Sequence, residues 1–483
     1  MLQTLKNAWN TKEIRGKILF TLFILLLYRI GTVIPVPFVE ANNFASQFSG
    51  TILAQMDILS GGSLSTATVF ALGVSPYINA SIIIQLLAVV FPRLGEIAKN
   101  DKAKMNYITR IVTVILAIVT AIGYYFLLKN SHMLVNAADP HQNPGMAWFY
   151  GIVIIACYCA GASIIMWLGE RINERGIGNG ISMILFANIV SSLPSFVYKL
   201  VQLAVTTYGY EHKAWLYGIL STVFGLAIIA ALVALFIFVI WLTGSERRIP
   251  INYAKRVVGR KMYGGQSQNL PIKLNMTGVM PIIFASSIVS LVPTILALCS
   301  VDSTATGFWP GVARVFGSSG VVYPVSLFLL IIAFAYFYTQ ITFDPIEVSN
   351  NIKKQGGAIP GIRQGRPTAD YIRKILNKVT LVGALFLGII AVLPVIAGPH
   401  IFQHIIEWIL VGAYDNPDAL TYQWTGSNIV TVTYRQLAEA SASNITSHLT
   451  FGGTSILIIV GVVIETFRGL ESELTMRNYK GFL

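Results

Sequence analysis

Ten stretches of roughly twenty mostly apolar residues recur along the chain, near 18–37, 70–91, 108–128, 149–168, 177–198, 215–242, 274–298, 321–343, 379–397 and 451–467. About 20 such residues carry a helix across the hydrocarbon layer. A backbone in lipid must satisfy its own polar groups, so each stretch predicts a transmembrane helix. The last is short and is expected to extend a turn at either end. The polar segments between them alternate in charge. Of 34 Lys and Arg, 28 fall in 1–17, 92–110, 168–176, 243–274, 344–378 and 468–483, while Lys129, Lys199, Lys213, Arg314 and Arg435 lie in the alternate loops and Arg29 within the first span. Basic loops resist translocation, which predicts that both ends stay in the cytoplasm. Same-side ends divide ten spans into halves of five, 18–198 and 215–467, with opposite orientation. An inverted repeat is possible on that count, though no clear internal similarity marks one.

Two segments break the pattern. MDILSGGSLSTATVFALG (56–73) is apolar but interrupted by Gly61-Gly62 and five hydroxyl residues, too polar to span stably. A re-entrant or half-helix fits better, and at membrane depth such backbone is tolerated only inside protein or beside a water-filled cavity. PHIFQHIIEWILVGAY (399–414) is apolar for little more than a dozen residues. If it spanned, Arg468, Arg477 and Lys480 would face outward, so an interfacial helix is expected.

The composition agrees: 54% hydrophobic, 11% charged, mean hydropathy +0.66, outside the soluble range. The net charge of +13 is then mostly a matter of orientation, although it also leaves a basic face for acidic partners. Leu2, Leu5 and Trp9 alternate with Lys6, Lys12 and Arg15, and no small-residue cleavage site follows the first apolar run. Residues 1–17 read as a helix lying on the cytoplasmic leaflet.

Chemistry-bearing residues are sparse. Ion-driven carriers hold acids or bases within their spans; here Arg29 and Glu465 lie near span ends, where snorkelling or a structural pair accounts for them. Cys157, Cys159 and Cys299 form no CxxC pair and read as small hydrophobes. His400, His404 and Glu407 have the spacing of a helical metal face, but polar residues turned toward water explain them more simply. GIGNG (176–180) follows no strand, so it reads as a tight cytoplasmic turn rather than a phosphate loop. No catalytic constellation, metal site or cofactor is expected.

SGGSLSTATVFALGVSPYINASIIIQLL (60–87) and WLGERINERGIGNGISMILFANIV (167–190) closely resemble the two signature regions of the SecY family, the channel-forming subunits of bacterial Sec protein translocases. PINYAKRVVGRKMYGGQSQNLPIKLNMTGVMPIIFASSI (250–288), PGIRQG (360–365) and FGGTSILIIV (451–460) continue the match in family order over nearly the whole chain. The resemblance implies an all-α polytopic membrane protein, with ten transmembrane helices in two pseudo-symmetric inverted halves and a re-entrant plug half-helix at about 57–70 that includes Asp57, Ser60, Gly61, Gly62 and Phe70. It implies a pore ring of Ile78, Ile82, Leu185, Ile189, Ile283 and Ile458. A narrow apolar ring dewets and blocks ions, while aliphatic chains can close around a passing polypeptide of any sequence. Without the resemblance these six do not stand out among the many Ile and Leu.

Family members release apolar segments sideways into lipid by parting the second and third spans from the seventh and eighth. Gln85 and Asn275 are polar residues on or near that seam, where ordinary helix packing explains them equally well. The loops 243–274 and 344–378 are long and punctuated by Pro and Gly, which charge sorting alone does not require. The resemblance makes them docking surfaces for a ribosome or a SecA-like motor ATPase, through Arg247, Arg248, Lys255, Arg256, Arg260, Lys261, Arg363 and Arg366. It also implies SecE-like and SecG-like small membrane subunits, signal-bearing polypeptide substrates, contact with membrane lipid, and a multi-pass place in the bacterial inner membrane. Two departures stand out. Thr66 occupies a plug position where some relatives carry a basic residue, and the outward loop 398–450 is long, serving to cap the outer funnel or to touch an accessory protein. A secondary transporter built on inverted repeats is the alternative, and a membrane scaffold or insertase a third reading. The bare midplane opposes the former, the broken segment and shaped loops the latter.

Overall fold

The computed structural model describes residues 2–40, 52–131, 133–135, 147–208, 214–253, 256–258, 261–263, 267–276, 278–298, 307–315, 320, 322–412, 420–425, 428–433, 435–436, 438–439, 442 and 452–480. The chain opens with a short helix α1 (Leu2–Asn10), followed by α2 (Lys12–Gly31) and α3 (Ile52–Ser60). Next come α4 (Ser75–Val90), α5 (Pro92–Asn100), α6 (Lys102–Asn130), α7 (Ala147–Arg175), α8 (Gly180–Tyr208) and α9 (Ala214–Gly244). Strands β1 (Glu246–Tyr253), β2 (Arg256–Val258), β3 (Lys261–Tyr263) and β4 (Ser267–Lys273) precede α10 (Met280–Leu298). Then follow α11 (Phe308–Val315), α12 (Val322–Thr342), α13 (Pro345–Lys354), β5 (Gly357–Ala358) and α14 (Arg366–Ala397). A π-helical turn (Gly398–Phe402) leads into α15 (Gln403–Gly412), a hairpin β6 (Leu420–Thr425) and β7 (Asn428–Thr433), and finally α16 (Gly452–Lys480).

Each of the ten predicted spans coincides with a helix. Six helices among the described residues are long and apolar enough to cross a membrane unaided: Ala103–Asn130, Trp148–Arg175, Gly218–Gly244, Val322–Lys354, Arg366–Ala397 and Gly453–Thr475. The helix pair α4–α5 is a seventh if taken as one broken span. Phe91 is extended and Pro92 starts the next helix, so the chain bends there by 118°; the proline cannot donate back into the preceding turn. Several boundaries differ from the hydropathy reading. The first helix stops at Gly31, short of residue 37, and the second begins only at Ser75. The ninth starts at Arg366, ahead of the apolar stretch at 379, so about 20 Å of helix precedes the apolar zone. The tenth runs on through most of the tail at 468–483.

The main core joins α2, α4, α7, α8, α9, α10, α12, α14 and α16 around residues such as Ile24, Ile165, Ile184, Leu242, Ile331, Leu387 and Leu457. The two halves meet where α10 packs on α3, α4 and α6, and where α8 packs on α9 and α16. Lys17 at the start of α2 pairs with Glu473 near the end of α16 at 2.7 Å, so the start of α2 and the end of α16 lie on the same side of the bundle. In the GIGNG turn Gly178 has φ +76°, and a Cβ on Gly180 would lie 1.9 Å from the Gly169 carbonyl oxygen. That turn therefore needs both the positive φ and the close packing its glycines suggest.

The cytoplasmic-type loops hold more structure than an all-α reading provides. β1 pairs antiparallel with β4 along its length (Ile249↔Leu270, Ile251↔Gln268) and with β5 from the other long loop (Asn252↔Ala358). Ile249, Ile251 and Ile272 face Ile352, Ile359, Ile372 and Leu376 in a separate small core. The two basic loops are one lobe.

Candidate functional site

Between α2 and α4 lies the broken segment. Its helical part, α3, sits earlier than the resemblance suggests, and 61–74 is a succession of turns. Ser60, Ser63, Leu64, Ala67, Phe70 and Val74 are all buried, so hydroxyl-rich backbone here is enclosed by protein, as a membrane interior demands. Much of its satisfaction is internal. Asp57 Oδ1 accepts from the Ser65 amide at 2.8 Å, Ser60 Oγ donates to the Asp57 carbonyl at 2.9 Å and accepts from the Leu64 amide at 3.2 Å. Val36 and Val69 tie the two flanks together through backbone bonds to Ala67 (3.3 Å) and Ile34 (3.0 Å).

The remaining carbonyls receive donors from the surrounding helices. Asn188 Nδ2 on α8 donates to Leu59 at 2.7 Å, and Tyr124 on α6 donates to Leu64 at 2.5 Å. Arg29 on α2 reaches Gly61 at 3.4 Å and Tyr158 on α7 reaches Ala67 at 3.5 Å, both at the outer edge of hydrogen bonding. Phe70 stacks on Tyr28 with ring centroids 5.4 Å apart and an interplanar angle of 11°. Arg29, placed near a span end by hydropathy, thus faces the segment and does more than snorkel.

Ile78 and Ile82 on α4, Leu185 and Ile189 on α8, Ile283 on α10 and Ile458 on α16 are all buried in one cluster, and Phe70 and Val74 belong to it too. Four helices from both halves therefore contribute aliphatic side chains to the same core as Phe70 and Val74 of the broken segment. Dispersion contacts and exclusion of water are all such a group offers; it holds no charge to select an ion.

On the seam between halves, Gln85 bonds across to Tyr338 on α12 and holds Ser81 Oγ at 2.9 Å. Phe284 on α10 packs against the Tyr338 ring at 5.1 Å. Asn275 is buried, with no partner for its Oδ1 among the described residues. The resemblance does not bring out Tyr338, Tyr28 or Asn188. Asn188 was accessible to sequence reasoning, as an amide inside an apolar span; the two tyrosines carry no such signal.

In the lobe, Arg247, Arg248, Arg363 and Arg366 are exposed. Arg248 Nε pairs with Glu246 at 2.7 Å, which spends part of its charge locally. The PGIRQG loop is held by Gln364 donating to Gly357 (2.9 Å), Ser349 to Gly365 (2.7 Å) and Thr368 to the Arg363 carbonyl (2.8 Å), leaving the Arg363 guanidinium at the tip. Arg256 and Lys261 lie on β2 and β3, and Lys255 and Arg260 lie outside the described residues. At the lobe's base, partial burial pushes the Lys273 ammonium below its ordinary value, Arg468 adds to this and Glu246 opposes it. His404 pairs with Glu407 at 3.3 Å. Cys157 and Cys159 are free and half-buried, and Cys299 lies outside the described residues.

A helical membrane bundle whose two halves share an apolar core, with a broken segment packed into that core, has the architecture of a polypeptide-conducting channel. The chain superposes on a solved protein-conducting channel with TM-score 0.57 and 18% identity, covering 95% of this chain and 92% of that one. It superposes on Sec61 from the canine ribosome–channel complex of the endoplasmic reticulum with TM-score 0.54 and 17% identity, covering 95% and 92%. The SecY family model matches residues 68–413. The protein translocase subunit SecY of Streptomyces coelicolor is 38% identical over 492 aligned residues, with 100% of both chains covered. The chain belongs to the SecY family. It is a multi-pass membrane protein and a protein translocase subunit, a channel component rather than an enzyme.

Proposed function

We propose that this chain forms the pore itself: ten spans in two inverted halves, both termini in the cytoplasm of a bacterial plasma membrane, with 52–74 as the plug. The observation that carries the reading is that Ile78, Ile82, Leu185, Ile189, Ile283 and Ile458 are all buried in one apolar core together with Phe70; in this reading they form its waist. A ring of this kind excludes water and ions when closed and yields to a polypeptide without preferring one sequence. The Gln85–Tyr338 bond crosses the seam through which an apolar segment would leave. Interhelical hydrogen bonds of this type are worth about 1 kcal/mol, so an arriving signal sequence can compete with it.

The basic lobe, presenting Arg363 and Arg366 from one loop and Arg247 from the other, suits an rRNA backbone or an acidic motor surface. A SecA-like ATPase and the ribosome are its partners in this reading, with SecE-like and SecG-like subunits bracing the bundle. A ribosome-bound relative among the structural matches supports the ribosome as a partner. Photoreactive probes at Ile82, Ile189, Ile283 and Ile458, in membranes carrying a stalled secretory polypeptide, test the pore. Crosslinks from all four to one polypeptide are expected. Silence at all four with the polypeptide engaged returns the scaffold and carrier readings.

A further inference from the structure

We infer that Asn188 is a positioning residue that latches the plug, and so sets how strong a signal sequence must be to open the channel. The inference rests on the reading of 52–74 as a plug. A helix leaves its last carbonyls unsatisfied, and α3 ends against α8 and α10, with Ile58 and Ser60 buried and Leu59 half-buried. Its own continuation serves two: the Gly62 amide donates to Asp57 at 2.8 Å and the Gly61 amide to Ile58 at 3.1 Å. The next carbonyl, Leu59, is served from another helix by Asn188 Nδ2 at 2.7 Å. The same nitrogen donates to Tyr28 OH at 2.9 Å, and Tyr28 in turn carries the Phe70 ring. Asn188 is 0% exposed and directly precedes Ile189. One amide therefore ties the first span, the plug helix and the waist together.

The backbone at Gly61 is shaped around this contact. Its φ is +72°, and a Cβ there would lie 2.8 Å from Asn188 Oδ1 and 2.9 Å from an Arg29 guanidinium nitrogen. No side chain fits between the two helices at that point. Asn188 Oδ1 has no partner among the described residues, so the amide keeps an acceptor ready for water when the waist becomes wet. That makes the latch reversible: in the closed state the amide has protein partners, and in the open state water can replace the plug carbonyl at little cost.

The latch is also neutral. Residues 56–73 contain no Lys or Arg, and the one acid, Asp57, accepts a bond from within the segment. With Thr66 in place of a basic residue, hydrogen bonds take over the locking. Screening by salt leaves such bonds almost untouched.

The test uses the full chain assembled with its small membrane subunits, its three cysteines replaced by Ser, and Ser63→Cys as a reporter. Ser63 is 0% exposed. The readouts are labelling by a membrane-impermeant maleimide from the outer side and export of a substrate with a crippled signal. Asn188→Leu keeps the bulk and removes the donor, so both readouts should rise about ten-fold, the scale set by one buried hydrogen bond, at low and high salt alike. Asn188→Gln retains the amide and should bring both back toward the unmodified values, which loss of packing alone would not do. Gly61→Ala strikes the same contact from the plug side and serves should Asn188→Leu fail to assemble.

Deletion of residues 57–70 is the control; it removes the reporter position, so it is read by export of the crippled-signal substrate alone. If the deletion raises that export while Asn188→Leu and Gly61→Ala leave both readouts at the unmodified level, the latch is overturned and the plug stands. If the deletion leaves that export unchanged, the plug reading falls and takes the latch with it.

Discussion

The seat of the broken segment and the basic lobe are built in opposite ways. In the seat, an amide meets Leu59, phenols meet Leu64 and Ala67, and a ring meets a ring, all of them neutral contacts, beside the guanidinium of Arg29 at Gly61. In the lobe, Arg247, Arg363 and Arg366 stand in solvent on a scaffold whose own core is almost entirely Ile and Leu. The difference follows from where water is. Burying an ion costs several kcal/mol even after relaxation, whereas a neutral donor meeting a carbonyl in a dry site stabilises at no such cost. An exposed guanidinium keeps its hydration until a phosphate or carboxylate arrives and steers that partner over roughly a Debye length. Under the proposed function, one chain thus keeps its moving part salt-insensitive and its docking part salt-sensitive.

The largest blow to that contrast comes from Phe70→Ala. Phe70 is buried, stacked on Tyr28 and part of the core cluster, so the truncation should cost about 3–5 kcal/mol of plug seating. Ion leak through vesicles holding the idle complex should climb accordingly and show no dependence on salt. A tight seal after this change would mean the seat is not what closes the pore.

Arg363→Glu strikes the other side. Charge-assisted hydrogen bonds are worth about 1.5–3 kcal/mol, and reversing the charge adds repulsion, so motor- or ribosome-driven export should fall at least ten-fold while the seal stays intact. Binding by the unmodified lobe should weaken as salt rises. Normal export in a reconstituted assay would remove Arg363 from the docking surface.

The smallest expected effect lies between the two regions, at the seam. Gln85→Leu deletes the bond to Tyr338, worth about 1 kcal/mol. A lowered hydrophobicity threshold for lateral release of a marginal transmembrane segment is the measurement. An unchanged threshold would assign the bond to helix packing alone.

Much of this was readable in one dimension. All ten apolar stretches became helices because lipid leaves the backbone no other economy. The broken character of 56–73 followed from Gly61-Gly62 and its hydroxyls, which cannot face hydrocarbon. Where helix ended and turn began did not follow: α3 sits at Ile52–Ser60 because its end meets Asn188 and its continuation meets Tyr124. The strands of the lobe were legible in principle. ERRIPINY and NLPIK alternate apolar with polar positions (Ile249, Ile251; Leu270, Ile272), but Pro and Gly punctuation dominates those loops and hides the period of two.

The six aliphatic waist residues mark the limit from the other direction. Ile82 and Ile83 are adjacent and chemically identical, yet Ile82 is buried in the cluster and Ile83 is 40% exposed. Hydropathy cannot tell them apart, because both satisfy lipid equally well; only resemblance to a family singles out the former. Helical character, the alternation of basic loops and the absence of intramembrane catalytic or ion-coupling residues are properties of composition along the chain, and the amino-acid sequence determined them by itself. Which isoleucines meet, which carbonyl Asn188 serves, and that two loops some hundred residues apart share one sheet (Asn252↔Ala358) were decided by the tertiary structure. The reason is physical: solvent preference is a property of each residue, but a partner is a property of two, and the chain brings them together only when it packs.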